Sequence, residues 1–334
     1  MRWLKDDAPQ CDVVVSTRIR LARNMADVVF PSRITLPDDI EKVHAAAKRC
    51  LLVSPDFTFT HLLELNEIDR RALIESHIIS SNHAASKNGA LIANNDQSIS
   101  VMILEEDHFR IQSLGSGLSL VDTYDTADRI DNMLSGGISF AFDEKLGFLT
   151  SCPTNVGTGL RASLMLHLPA LTAAKGMQRI AAMISKVGMT VRGALGEGSK
   201  PAGSFYQFSN QVTLGVSEKE ILSRLLSTVN KVIDFERNTR RELHANLGLL
   251  LEDRIWRAIG ILKYARRIGD SEAQKLISDV ALGVSLGIVP GMTSGQLYKL
   301  MMNTRPATIA QMSGYAKPHE RDAVRAEMLR NIFS

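Results

Sequence analysis

The chain has 334 residues, enough for about two domains with a proper hydrophobic core. Hydrophobic residues make up 45% and charged residues 22%, which excludes a disordered chain, a collagen-like repeat and a disulfide-stabilised miniprotein. With 39 basic and 36 acidic side chains, the net charge of +3 is too small to indicate direct binding of nucleic acid.

The three cysteines, Cys11, Cys50 and Cys152, are odd in number and far apart. Because they form no CxxC pair, they favour a reducing compartment over a disulfide framework. The first residues carry charge at once, unlike a signal peptide or a membrane anchor, and no apolar run approaches the ~18 residues of a membrane span. We therefore expect a soluble, cytoplasmic protein with no membrane partner.

Strand-like and helix-like patterns alternate irregularly through the first two thirds of the chain. Runs rich in Val, Ile and aromatic residues predict strands over 12–15, 98–104, 109–114, 190–194 and 205–214. Amphipathic patterns predict helices over 37–53, 68–79, 119–134, 160–168 and 170–187. The short acidic connection 105–108 indicates a hairpin. This mixture lacks a regular βαβ repeat and predicts an α+β domain, in which helices pack on a largely antiparallel sheet.

From about residue 217 onward, strand signals stop and helix formers dominate. The pattern predicts helices over 217–251, 252–267, 271–286, 294–302, 306–312 and 318–332. We therefore expect an α+β domain over 1–240 and an all-α domain over 241–334, with the boundary inside a long helix.

Glycine-rich turns and arginines at strand ends are the first candidates for a binding site. Neither 157–159 nor 193–198 is a Walker A or Rossmann loop, and a turn with a helix cap is a simpler explanation than an anion cradle. Arg18 and Arg20 share one face if their segment is a strand. Each arginine alone is most simply a surface residue, whereas together they carry the planar forks that bind a polyphosphate: Arg18, Arg20, Arg110, Arg161 and Arg192.

Acidic residues and one cysteine lie beside these arginines in the sequence. We expect Glu105, Glu106 and Asp107 in the hairpin and Glu197 in a glycine-rich loop to be exposed. There they are either simply solvated or they hold Mg²⁺ or a cationic substrate. Cys152 is either a small buried side chain or a thiol activated by the nearby arginines. Motifs of zinc proteases, zinc fingers, serine hydrolases and protein kinases are missing from the sequence, which excludes those classes.

Four blocks of sequence together resemble the catalytic domain of the ATP:guanido phosphotransferases, the phosphagen kinases. They are residues 16–24 (STRIRLARN), 105–110 (EEDHFR), 150–163 (TSCPTNVGTGLRAS) and 192–197 (RGALGE), in the family's order and spread over most of 12–215. One departure is Leu104, where the family often has Asn before the acidic pair. That difference affects a local turn contact rather than the chemistry.

Within this superfamily the chain is similar to the bacterial protein arginine kinases. Only 15 residues precede the first arginine block, where small-molecule phosphagen kinases carry a helical domain, and a long helical extension follows the catalytic region. Residues 321–326 (RDAVRA) also resemble that branch's RDxxRA motif. The resemblance implies an allosteric phosphoarginine site formed by Arg321, Asp322, Ala323, Val324, Arg325 and Ala326.

The resemblance also implies roles for individual residues. Glu106 and Glu197 would hold the acceptor guanidinium and act as base, Glu105 would belong to the same catalytic group, and Cys152 would lie beside the guanidino group. No residue is expected to be a dedicated metal ligand. The implied ATP-binding set is Ser16, Thr17, Arg18, Ile19, Arg20, His77, Arg110, Arg161, Ala162, Ser163, Leu164, Met165, Arg192, Gly193, Ala194, Leu195, Gly196 and Glu197.

The implied function is transfer of the γ-phosphoryl group of Mg-ATP to arginine side chains of proteins, with ATP and Mg²⁺ as cofactors. Such a mark would direct proteins to the Clp protease system or inactivate a stress repressor. The implied partners are protein substrates with exposed arginine, a zinc-binding activator protein and a second copy in a homodimer. Two alternatives stay open: a phosphagen kinase acting on a small guanidine such as arginine or creatine, and a non-catalytic adaptor that binds phosphoarginine.

Overall fold

The computed structural model describes residues 3–193, 202–315 and 317–334. Eight strands of this part of the chain form one sheet in which every neighbouring pair is antiparallel. Two short strands form a separate hairpin. The predicted antiparallel α+β fold is therefore confirmed. In chain order the strands are β1 (Val14–Arg23), β2 (Phe57–His61), β3 (Ala90–Asn94), β4 (Ile99–Ile103), β5 (Phe109–Ser116), β6 (Phe142–Asp143), β7 (Gly147–Phe148), β8 (Leu160–His167), β9 (Met189–Gly193) and β10 (Phe205–Asn210). The order in the large sheet is β2-β3-β4-β5-β1-β8-β10-β9, and β6 and β7 form the hairpin.

Helices occupy both the connections of the sheet and the whole last third of the described chain. Within the sheet region they are α1 (Pro37–Leu51), α2 (Glu67–Glu75), α3 (Ser81–Ala84), α4 (Leu120–Ser135), α5 (Pro169–Ala173) and α6 (Met177–Ser185). They continue as α7 (Glu218–Leu247), α8 (Leu249–Tyr264), α9 (Asp270–Ser285), α10 (Ser294–Asn303), α11 (Pro306–Ser313) and α12 (Pro318–Phe333). The long helix α7 begins at a capping box, in which Ser217 and Glu220 satisfy each other's backbone N–H groups, and ends at Gly248 with φ of 42°.

The largest error of the sequence prediction concerns residues 160–168, which form a central strand and not a helix. Consequently, the glycine turn before them leads into β8, and no helix N-terminus is available there to hold an anion. The predicted helix 170–187 is two helices separated at Gly176, β1 is longer than predicted, and β2 and β3 were not predicted at all.

The two faces of the sheet are covered differently. Residues such as Ile19, Ile111 and Leu164 point to one face and form a core with α1, α4, α6 and α7. The opposite face is apolar at one end, where Leu114 and Met165 pack with residues of α8, α9, α10 and α12. We call this second cluster the shared core, because it joins sheet residues to helices of the last third. Away from this cluster the same face carries polar side chains, such as Arg20 and Arg161.

The predicted domain boundary at residue 240 lies inside α7, which runs unbroken from Glu218 to Leu247. The shared core also extends across that boundary. The division into 1–240 and 241–334 therefore stays a prediction. Among the described residues, no helix has both the length and the apolar character needed to cross a bilayer.

Candidate active site

The register of the sheet gathers all five predicted arginines on one face. Arg20 of β1 pairs directly with Arg161 of β8, and Arg18 pairs with Ser163 two positions away. Because side chains alternate along a strand and paired residues share a face, these residues all project to the same side. On β5, Arg110 lies two residues from the partner of Arg20, and therefore points to the same side. On β9, Arg192 pairs with a residue of β10 that in turn pairs with β8 two positions from Ser163, so it also points to this side. We call the surface formed by Arg18, Arg20, Arg110, Arg161 and Arg192 the arginine face.

The guanidinium groups of the arginine face repel one another. Burial, followed by the charges of Arg110 and Arg161, lowers the pKa of Arg18 to about 10. Burial and then Arg18 lower the pKa of Arg20 well below its usual value, and the Nε of Arg20 is buried with no hydrogen-bond partner in the described chain. Burial and then Arg192 lower the pKa of Arg161. Cations that lie on one face and lower one another's pKa are suited to bind a polyanion.

Arg18 is oriented by neutral partners on the neighbouring strands. Its Nη2 donates to Oε1 of Gln207 at 2.7 Å, and its Nε donates to Oγ of Ser163 at 3.4 Å. A neutral partner fixes the direction of the guanidinium without cancelling its charge. The full charge of Arg18 is therefore retained for a ligand.

The two glutamates of the hairpin occupy different environments. Glu105 is only 4% exposed; it accepts a hydrogen bond from Oγ of Ser80 at 2.5 Å and pairs with Arg110 at 2.7 Å. Glu106 also pairs with Arg110, at 2.9 Å, but its side chain is 43% exposed. The expectation that the hairpin acids are all exposed is wrong for Glu105 and for Asp107, which is completely buried. Glu106 is therefore the hairpin carboxylate that a substrate can reach.

Buried Asp107 connects the acidic hairpin to the loop that carries the predicted cysteine. Its Oδ1 accepts hydrogen bonds from Nδ2 of Asn24 and from the backbone N–H of Ser151, each at 2.7 Å. The next residue, Cys152, is half-buried, and its Sγ lies 3.0 Å from Oγ1 of Thr154. The roles of Asn24 and Asp107 were not predicted, since adjacency in the sequence does not reveal a bond across 83 positions.

His77 lies where the arginine face meets the apolar end of the sheet. Burial, then the charges of Arg18 and Arg305, lower the pKa of His77 to about 3, so the imidazole is neutral at physiological pH. Together with Glu75, Met165 and Arg305 it lines a cavity of about 210 Å³ beneath the helical region. The predicted nucleotide contact therefore has a cavity beside it and cations nearby.

The remaining residues of the predicted ATP-binding set fall into three groups. Ser16, Ser163 and Met165 share the arginine face, as the strand register requires. The side chains of Ile19, Ala162 and Leu164 point into the core on the opposite side, and Thr17 on that side donates to the carbonyl of Gly117 at 2.7 Å. Gly193 ends β9, and the predictions for Ala194, Leu195, Gly196 and Glu197 lie outside the described residues.

The predicted phosphoarginine motif lies on α12, and its second arginine is a buried structural residue. Arg325 is 1% exposed; its Nε donates to the carbonyl of Thr304, and its Nη1 to the carbonyl of Ile268, both at 2.8 Å. It also pairs with Asp322 at 2.7 Å. Arg321 and Val324 are partly exposed, Ala323 is exposed, and Ala326 is buried in the shared core. The binding role of this motif stays a prediction.

Models of known protein families match two adjacent parts of the chain. The catalytic domain of the ATP:guanido phosphotransferases matches residues 40–239, and the protein-arginine kinase McsB C-terminal domain matches residues 249–334. The first match alone covers more than half of the sequence. The chain belongs to the ATP:guanido phosphotransferase family. As a member of this family it is an enzyme that transfers phosphoryl groups.

Individual relatives agree with the family assignment. A protein-arginine kinase of Bacillus mycoides is 42% identical over 98% of this chain and 94% of its own length. The protein-arginine kinase of Geobacillus stearothermophilus is also 42% identical, over 98% of this chain and 92% of its own length. Among solved structures, a lombricine kinase has 26% identity and a TM-score of 0.61, covering 68% of this chain and 67% of that one. The resemblance drawn from the sequence motifs is thereby confirmed for this guanido phosphotransferase.

Proposed function

We propose that this guanido phosphotransferase transfers the γ-phosphoryl group of ATP to arginine side chains of proteins. The observation that carries the proposal is the arginine face, where five strand-borne cations converge and Arg20 has a buried, unpartnered Nε. Such a surface neutralises the triphosphate and the charge that develops during transfer. The similarity to protein-arginine kinases over nearly the whole chain favours a protein acceptor over a small guanidine.

The acceptor chemistry needs a base, because an arginine guanidinium is not a nucleophile while it is fully protonated. During transfer the bond from the γ-phosphorus to the bridging oxygen breaks, an N–P bond forms, and the guanidinium proton moves to a carboxylate. Glu106 is suited to this step, since it is exposed and lies at the edge of the arginine face. From the resemblance, Glu197 shares this role and Cys152 lies beside the guanidino group, whereas Glu105 holds Arg110 in place.

We propose that Mg²⁺ enters as part of the substrate Mg-ATP. Among the described residues, no group of three or more His, Cys, Asp or Glu side chains is arranged to hold a metal ion. Mg²⁺ typically keeps several waters and binds substrate phosphates with at most one or two carboxylates. The residues of the chain would therefore bind the nucleotide, and the nucleotide would carry the metal.

The cellular setting and partners of the enzyme are part of the same proposal. We propose that phosphorylation marks proteins for the Clp protease system or inactivates a stress repressor, and that a zinc-binding protein activates the enzyme. We also propose a homodimer. An exposed apolar strip on α8 supports a partner at this surface, since it carries the exposed side chains Leu249, Leu250, Trp256 and Tyr264.

The test incubates the purified chain and Mg-ATP with an unstructured, arginine-rich protein, and with free arginine in a parallel tube. Modified residues are mapped by mass spectrometry without acid, because the N–P bond is acid-labile. Phosphoarginine on the protein but not on free arginine is the expected result. Labelling of free arginine alone would assign the chain to the small-guanidine kinases.

Two glutamine variants make this test specific to the proposed site. Glu106→Gln is expected to lower the labelling rate by about 100-fold or more, because the base is lost while the shape is kept. Glu144→Gln changes an exposed acid in the turn between β6 and β7, and is expected to label like the wild type. If the wild type and both variants give no labelling, even after cell extract is added, while the chain still binds phosphoarginine, the chain is the adaptor instead.

A further inference from the structure

Trp3 is buried without a partner for its polar atom. Its side chain is 7% exposed, and its indole Nε1 is buried with no hydrogen-bond partner in the described chain. A buried N–H group without an acceptor costs about 1–3 kcal/mol, so buried donors are nearly always paired. An unpaired indole donor in a folded protein therefore suggests that its acceptor arrives with a ligand.

The segment that carries Trp3 is firmly attached to both sides of the shared core. The backbone N–H of Lys5 donates to Oγ of Ser116 at 3.0 Å, at the end of β5. Asp6 pairs with Lys299 of α10 at 2.7 Å. The same segment approaches α10 so closely that a Cβ on Gly295 would lie 2.4 Å from the carbonyl oxygen of Asp6. Trp3 is thus held in a defined position rather than on a loose arm.

That position is at the edge of the arginine face. Trp3 lines a gap of about 20 Å³ together with Ser16, Arg18 and His77. The gap has the size of about one water molecule, so it admits a single oxygen but not a ring. It shares His77 and Met165 with the larger cavity of about 210 Å³.

We propose that Trp3 is a further nucleotide-binding residue, whose indole N–H donates to an oxygen of the ribose-phosphate part of the bound nucleotide. The proposal rests on the proposed function, in which the arginine face binds ATP. Arg18 supplies charge to this oxygen-sized gap and Trp3 supplies a neutral, directional donor. The apolar part of the indole ring excludes water from the edge of the site, while its one polar atom binds the ligand.

The test uses the fact that the chain has two tryptophans, Trp3 and Trp256. Trp256→Phe leaves Trp3 as the single indole fluorophore, and Trp3→Phe leaves only Trp256, which is half exposed on α8. Each variant is titrated with ADP while calorimetry measures binding independently. We expect saturable changes in the emission of Trp256→Phe and a constant emission from Trp3→Phe.

Kinetics separate a binding role of Trp3 from a packing role. Trp3→Phe is expected to raise the KM for ATP about 3- to 10-fold, because one hydrogen bond to the nucleotide is lost. The kcat and the KM for the protein substrate should stay unchanged. Leu4→Ala is the matched control, because Leu4 is also buried on the same segment but does not line the gap. It is expected to lower stability without changing the KM for ATP.

Two outcomes would overturn the proposal, and they are distinguishable from failure of the proposed function. If calorimetry shows saturation by ADP while Trp3 emission stays constant, Trp3 does not meet the nucleotide. If Trp3→Phe and Leu4→Ala raise the KM for ATP equally, Trp3 acts only by packing. If the wild type binds no nucleotide at all, the arginine face is misassigned and both proposals fail together.

Discussion

The turn that leads into the acidic hairpin contains a strained backbone conformation at Leu104. Leu104, directly before the acidic pair, has φ of 57°, a left-handed conformation that costs a leucine about 1 kcal/mol or more. It is retained because the side chain is buried in the core. We expect Leu104→Gly to be more stable than Leu104→Ala by about 1 kcal/mol, the reverse of the usual order, since both lose the packing but glycine alone loses the strain. Urea unfolding of the two variants measures this difference, and a more stable alanine variant would mean that the turn is not strained.

His77 makes stability depend on pH in a defined direction. Burial, Arg18 and Arg305 lower its folded-state pKa to about 3, whereas in the unfolded chain an imidazole titrates near about 6.5. Between about pH 6.5 and pH 3 the imidazole is therefore protonated in the unfolded state but not in the folded state. The free energy of unfolding falls as the pH falls through this range. The variant His77→Asn removes the titratable imidazole, and asparagine accepts the φ of 60° at this position. Between pH 6 and pH 4 its unfolding free energy should fall less steeply than that of wild type, by up to about 1.4 kcal/mol per pH unit. Equal slopes in urea titrations at several pH values would contradict this.

At the scale of elements, β8 explains both the success and the failure of sequence prediction. Its sequence, LRASLMLH, is rich in Leu, Ala and Met, which favour helices, and predicted one. In the sheet the same residues alternate: Arg161 and Ser163 point to the arginine face, and Leu160 and Leu164 point to the core. A central strand buried on both faces reads as a continuous apolar run, so periodicity alone does not separate it from a buried helix.

The arginine face should trade stability for binding. Arg20 is held among like charges with one buried nitrogen unpaired, so its charge opposes folding while no anion is bound. Arg20→Met, of similar length and without charge, is expected to raise the unfolding free energy by about 1 kcal/mol or more at low salt. The same change should reduce the rise in Tm that ADP gives the wild type. Thermal unfolding with and without ADP measures both effects, and Arg71→Met, at an exposed arginine on α2, controls for the lost charge. A less stable Arg20→Met variant would show that the cluster is already neutralised.

For the molecule as a whole, the sequence identified candidate site residues that stand within one motif, but not the contacts that form between distant segments. The five arginines were predicted together because each stands in a recognisable block, and the strand register places them on one face of the sheet. The position of Trp3 and the burial of Asp107 and Arg325 were not predicted. They depend on contacts between segments far apart in the chain, such as Asn24 with Asp107, Thr304 with Arg325, and His77 beside the gap of Trp3. Burial of a polar group is decided by tertiary packing, which local patterns do not encode.

The shared core makes a prediction about the cooperativity of the entire chain. Trp3, Leu114 and Met165 from the sheet region pack in one cluster with Leu262 and Leu297 from the helical region, so neither side can lose its structure without exposing apolar surface on the other. We therefore expect one unfolding transition, although the sequence suggests a division near residue 240. In Trp256→Phe, the emission of Trp3 reports on the sheet side, while circular dichroism at the helix band is dominated by the long helices after residue 217. Their urea midpoints should coincide. Separate midpoints would mean that the helical region folds independently, and that the shared core and the contact of Asp6 with α10 are too weak to couple the two regions.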